Sequence, residues 1–122
     1  MKRFTLLALA ALFGAIGFSS CSLSIDTSEL QSGSWELSKE NGVDWTTNGY
    51  YYTFSNGNIS VISTVSTSFA AFATYTISGG QITIVASGAS GLANQAYNVT
   101  ISSSLMDWYD PYSSAQLYEF TK

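Results

Sequence analysis

The chain carries eight carboxylates and eight tyrosines but no histidine. Without histidine there is no Ser-His-Asp triad, no imidazole general base and no imidazole ligand for zinc. Two carboxylates flanking a bond can hydrolyse a glycoside, so Asp107, Asp110 and Glu119 are the first residues to weigh. Asp107 and Glu119 fall at outward positions of neighbouring predicted strands and read as solvated surface charge. The stretch "DWYDPY" presents Asp107 and Asp110, yet it lacks the dense oxygen-ligand spacing of a calcium loop. Gly79-Gly80 and Gly88-Ala89-Ser90-Gly91 read as hairpin and loop glycines, not as a phosphate cradle. Asn58-Ile59-Ser60 and Asn98-Val99-Thr100 match glycosylation acceptors but sit in strand context, where chance explains them. These residues predict a protein with no catalytic set, no metal site and no cofactor.

Cys21 is the only cysteine, so an internal disulfide is excluded. Its position carries more information than its chemistry. Lys2 and Arg3 precede a charge-free apolar run over residues 4–18, followed by Ser19 and Ser20, the layout of an export signal. The run is shorter than the roughly 20 residues that a transmembrane helix needs. Phe18-Ser19-Ser20-Cys21 resembles a bacterial lipobox, with Phe18 where leucine is usual. That resemblance implies cleavage before Cys21 and lipidation of its thiol, which leaves no thiol nucleophile. It also implies anchoring in the bacterial envelope, at the outer membrane. Lipid chains contribute about 0.8 kcal/mol per buried methylene, so several chains hold firmly. The chain then divides into a signal peptide (1–20), a polar, flexible tether (21–32) and one domain (33–122). After cleavage two lysines face eight acids, a formal charge of −6. Nucleic acid, which is bound through clustered Lys and Arg, is a poor partner. The membrane is reached through lipid, not through charge.

The elements that must position any site are strands. From Gly33 onward the pattern has period two and is rich in Val, Ile, Thr, Tyr and Phe, with one proline in the chain. Asn56-Gly57 suits a type I′ turn. A two-residue loop there pairs Ser55 with Asn58, Phe54 with Ile59 and Tyr52 with Val61, and leaves Tyr51 and Ile62 on the outer face. Gly79-Gly80 pairs Ile77 with Ile82 and Tyr75 with Ile84. A third hairpin turns at Ser102-Ser103-Ser104. Met106 and Trp108 continue the inward face of Tyr97, Val99 and Ile101 there, unless a bulge turns Leu105 inward. In the last strand Tyr118 and Phe120 point inward and Glu119 outward. The predicted strands are 33–39, 50–55, 58–65, 72–78, 81–86, 96–102, 105–109 and 115–121, with a bend over 66–71. Eight short strands joined mostly by short turns suit an up-and-down barrel or a small sandwich.

With the signal and Cys21, the chain resembles the small lipocalin-like lipoproteins of bacteria. The matching residues are Leu30 with Gly33-Ser34-Trp35, Tyr52-Thr53-Phe54 before Asn56-Gly57, and Tyr75-Thr76-Ile77 before Gly79-Gly80. Gln81-Ile82-Thr83-Ile84, Tyr97-Asn98-Val99 and the closing Tyr118-Glu119-Phe120 complete the set. The resemblance implies an all-β, eight-stranded antiparallel barrel of the calycin type, with Trp35 plugging one end. In that family the tryptophan often packs under an arginine of the last strand. Here no arginine follows Arg3, so a lysine makes that contact or none does.

Alternation places Tyr50, Tyr52, Phe54, Tyr75, Tyr97, Trp108, Tyr118 and Phe120 inward. These are either a filled core at normal packing density or the lining of a pocket in which tyrosine hydroxyls meet a ligand. On the second reading Tyr50, Tyr52, Tyr75, Tyr97, Trp108 and Tyr118 bind a small hydrophobic or aromatic molecule at the barrel's open end, a reading that the long flexible loop 87–95 also motivates. On the first, the chain is a structural or inhibitor-like lipoprotein whose filled barrel takes no ligand and displays a surface to an envelope protein partner, with Trp45 presented on the loop 39–49.

Overall fold

A computed structural model describes residues 24–122; Cys21 and the signal segment lie outside the described residues. The strands are β1 (Ser34–Glu40), β2 (Val43–Asp44), β3 (Tyr50–Ser55), β4 (Asn58–Ser63), β5 (Ala70–Ser78), β6 (Gln81–Ala86), β7 (Ala96–Ile101), β8 (Leu105–Tyr109) and β9 (Gln116–Thr121). From β3 to β9 each pairs antiparallel with the next, and β1 pairs with both β3 and β9. This closes an eight-stranded up-and-down barrel, with β2 a two-residue addition to β1. Closure removes the unpaired edges that a β-rich, proline-poor chain would otherwise expose.

Turn chemistry sets the register. Tyr52 stands opposite Val61, Phe54 opposite Ile59 and Ser55 opposite Asn58. Asn56 and Gly57 have φ of 49° and 86°, as a type I′ turn requires. Tyr75 stands opposite Ile84 and Ile77 opposite Ile82. In the third hairpin Met106 and Trp108 are fully buried and Leu105 is turned outward.

Four elements depart from the sequence expectation, and the first is β4, which ends at Ser63, two residues before the predicted end. Strand β5 begins at Ala70, two residues earlier than predicted, because Ala71 and Ala73 extend the inward alternation with small side chains. Asn41 and Gly42, with φ of 52° and 81°, form a tight turn that folds β2 back on β1. Lastly, Thr27–Leu30 form one turn of helix, α1, inside the segment expected as tether. Asp26 caps it by accepting from the Ser28 and Glu29 amides at 3.0 and 3.2 Å. The tether expectation does not hold over residues 25–32, because Ile25 and Leu30 bury their side chains against the barrel.

Strand directions separate two unlike ends. The Asn56-Gly57, Gly79-Gly80 and 102–104 turns share one end with α1 and the start of β1. There Trp35 is fully buried and its Nε1 donates to the Leu30 carbonyl at 3.0 Å. Lys122 Nζ lies 4.3 Å from the centroid of the Trp35 ring. The lysine thus makes the cation-over-indole contact. It also reaches the Glu29 carbonyl and Ser32 Oγ, tying the chain's last residue to α1. This end is closed. The loops 41–49, 64–69, 87–95 and 110–115 crowd the other.

Replacing Lys122 by Ala should lower the unfolding free energy by about 1 kcal/mol, with most of it recovered in Lys122→Arg. Urea denaturation measures this, and an unchanged midpoint for the alanine variant would show that the contact contributes nothing.

Candidate functional site

The inward alternation of β3, β7 and β9 carries three tyrosine hydroxyls toward the open end, where the loop 87–95 crosses the barrel. Tyr52 Oη donates to the Ser90 carbonyl at 2.7 Å, Tyr97 Oη to the Ala93 carbonyl at 2.8 Å and Tyr118 Oη to the Gly91 carbonyl at 3.3 Å. Leu92 and Ser90 are buried as the loop presses inward. Gly88 makes this crossing possible. Its φ is +54°, and a Cβ there would collide with the Phe72 carbonyl. Burial is the main reason that all three hydroxyls hold their protons above the ordinary tyrosine range, Tyr52 and Tyr97 well above it.

Below the loop the barrel is filled with rings. Trp108 lies 5.0 Å from Tyr97, 5.2 Å from Phe120 and 5.9 Å from Tyr118, between centroids. Phe54 meets Tyr75 edge-on at 5.6 Å in the closed half. Such offset and edge contacts add to the burial energy of the rings themselves. Trp108 Nε1 is buried with no hydrogen-bond partner among the described residues.

The structure therefore divides the six candidate ligand residues. Tyr75 and Trp108 are packed in the core, and the hydroxyls of Tyr97 and Tyr118 are engaged by the loop backbone. Tyr50 and Tyr52 alone among the six border open space. That space is a cup of about 140 Å³ at the open end, walled by Leu37, Glu40, Trp45, Tyr50, Tyr52 and Phe69 and floored by residues 89–91. Trp45 is half-buried here and is not free on its loop; its amide donates to the Ser38 carbonyl at 2.9 Å. Trp45 and Tyr50 centroids are 5.9 Å apart, and Tyr50 meets Phe69 edge-on at 5.3 Å.

Glu40 reaches the cup because β1 slips register between Leu37 and Lys39. Regular alternation from Trp35 and Leu37 would turn Lys39 inward. The bulge inserts Ser38, so Lys39 turns out and Glu40 turns in, opposite Tyr118. Ser38 Oγ holds the bulge by donating to the Glu119 carbonyl at 2.9 Å. Burial raises the Glu40 carboxyl above the usual carboxylate range.

The carboxylates first weighed for chemistry lie elsewhere. Asp107 stands directly opposite Glu119 on the outer face, accepting from Gln116 Nε2 at 2.7 Å. Burial, and then the neighbouring Glu119, raise the Asp107 carboxyl. Asp110 accepts from the Tyr112 amide in a turn. Among the described residues no group of three His, Cys, Asp or Glu is placed to hold a metal ion. No protein-family model matches the chain, and no curated protein matches its sequence.

Sequence alternation found Tyr50 and Tyr52 but missed Glu40, Leu37 and Phe69 as cup residues. Asn41-Gly42 was the available signal: the same dipeptide as Asn56-Gly57 marks where β1 must end and brings Trp45 back over it.

Removing the Tyr97 hydroxyl (Tyr97→Phe) should cost about 1 kcal/mol and speed amide hydrogen exchange in 87–95 more than in β4 or β8; uniform exchange would mean the bond does not hold the loop. Asp107→Asn should raise the melting temperature at pH 7. A carboxyl whose folded-state pKa is raised favours folding only while protonated, and that contribution is lost as pH rises through the folded value. The gain should vanish near about pH 3, where both side chains are neutral. Melting curves across pH check the sign.

Proposed function

We propose that this protein is a non-enzymatic, lipocalin-like lipoprotein of the bacterial cell envelope, anchored at the outer membrane through Cys21. It binds a small, largely apolar ligand in the cup at the barrel's open end, not in the barrel body. The cup itself carries this reading. Its volume of about 140 Å³ is walled by aromatic rings, and an apolar cavity of about 150 Å³ takes a benzene-sized group. The barrel body is occupied: Trp35, Phe54, Tyr97, Trp108 and Phe120 are all 0% exposed. The lipobox-like Phe18-Ser19-Ser20-Cys21 supports the anchor.

The filled interior also favours a second reading, a barrel that serves as a rigid platform for an envelope protein partner. Phe72, 71% exposed on the outer face of β5, would then be part of the contact.

Two measurements test the proposal. Cys21→Ser should release the protein from the membrane fraction and abolish its labelling by radioactive fatty acid; persistent labelling removes the anchor. Tryptophan fluorescence, titrated with small aromatic and aliphatic compounds, should respond saturably in wild type and lose the response in Trp45→Leu. A panel that produces no saturable response leaves the platform reading.

A further inference from the structure

Resting on the reading of the cup as a small-ligand site, we propose that its ligand class is a small organic cation, an alkylated or quaternary ammonium group. It would sit against the rings of Trp45, Tyr50 and Phe69, with the Glu40 carboxylate as its counter-charge.

The wall chemistry has one sign. Glu40 is the charged residue of the cup, and no lysine lines it. The two lysines of the described chain are both committed elsewhere. The Ser38 bulge turns Lys39 to the outside, beside Glu119 at 3.9 Å. Lys122 lies at the opposite end, over Trp35. An anionic ligand would therefore meet a carboxylate with no compensating charge.

A neutral ligand fits less well than a cation for a related reason. Among the described residues no hydrogen bond or ion pair engages the Glu40 carboxylate. The Tyr52 hydroxyl, which belongs to the same cup, is spent on Ser90 at 2.7 Å. A neutral occupant would strip water from that carboxylate and return nothing, which costs free energy. A cation returns the Coulomb interaction. Partial burial already holds the Glu40 carboxyl above its usual range, the direction expected where water is partly excluded from a carboxylate.

The rings supply the second half of the recognition. Trp45 opens the 3-10 turn Thr46–Asn48, Tyr50 begins β3, and Phe69 precedes β5, so three separate elements converge on one wall. Aromatic rings attract a cation through their negative faces, tryptophan most strongly, and an aromatic cage is the usual device for a quaternary ammonium. An ammonium of this kind is weakly hydrated and close to benzene in bulk, so it suits a cup of about 140 Å³.

The test uses the full-length protein in a detergent without an ammonium headgroup. Calorimetry compares choline with 3,3-dimethyl-1-butanol, its uncharged isostere. Choline should bind saturably and about tenfold or more tightly than the alcohol. Glu40→Gln should bring the two ligands together, and Trp45→Leu should weaken choline. Near-UV circular dichroism confirms that both variants stay folded. Equal binding of choline and the alcohol to wild type overturns the cation assignment while leaving ligand binding at the cup intact. Absence of a response to either also overturns the cation assignment, and the aromatic and aliphatic panel then decides the broader reading separately.

Discussion

Strands β1 and β9 are the first and last long strands in sequence, and their antiparallel pairing converts a meander into a barrel. Every other neighbour pair from β3 onward is local in sequence and joined by one connection. The β1–β9 pair alone must wait for the rest of the chain. It carries the bulge at Ser38, the pairing of Leu37 with Phe120, and the reach of Lys122 over Trp35 to α1. Long-range closure is slow to form because loop entropy is lost before contacts return it. The ring cluster around Trp108 offsets that loss: it joins β3, β7, β8 and β9 through rings, so closing the sheet and filling the core are one event.

The two ends follow from how this closure ends. At one end tight turns leave a narrow opening, and Trp35, Leu30 and Ile25 cover it. At the other, longer loops must find somewhere to bury their apolar residues. Leu92 goes inward, and the loop carbonyls beside it accept the tyrosine hydroxyls that the strands deliver. A buried hydroxyl needs a partner, and here the partner is backbone from the same chain. The loop 87–95 takes up the mouth of the barrel, and what remains is the shallow cup at the rim.

Much of this was legible in residue types. Asn56-Gly57 and Gly79-Gly80 fixed two registers because a two-residue loop admits few geometries, and a slip would move Phe54, Ile59, Tyr75 and Ile84 into water. The burial of Trp35 followed from the resemblance, and the lack of a late arginine left open whether a lysine or nothing stands over the ring; the structure places Lys122 there. The site was less legible. Tyr97, Tyr118 and Trp108 were correctly placed inward, but alternation says which face a side chain takes, not what waits on that face. Glu40 was hidden because a bulge reverses the parity that pattern reading depends on.

The sequence by itself determined the strands, their order, most of their registers and the apolar face of each, since these rest on turn geometry and a period of two. Tertiary structure decided what fills the interior, which of Lys39 and Glu40 enters the mouth, and that residues 25–32 belong to the folded body. Each of those outcomes depends on contacts between segments far apart in the chain: β1 against β9, 87–95 against three strands, and α1 against the Trp35 end. Local pattern carries no record of such meetings.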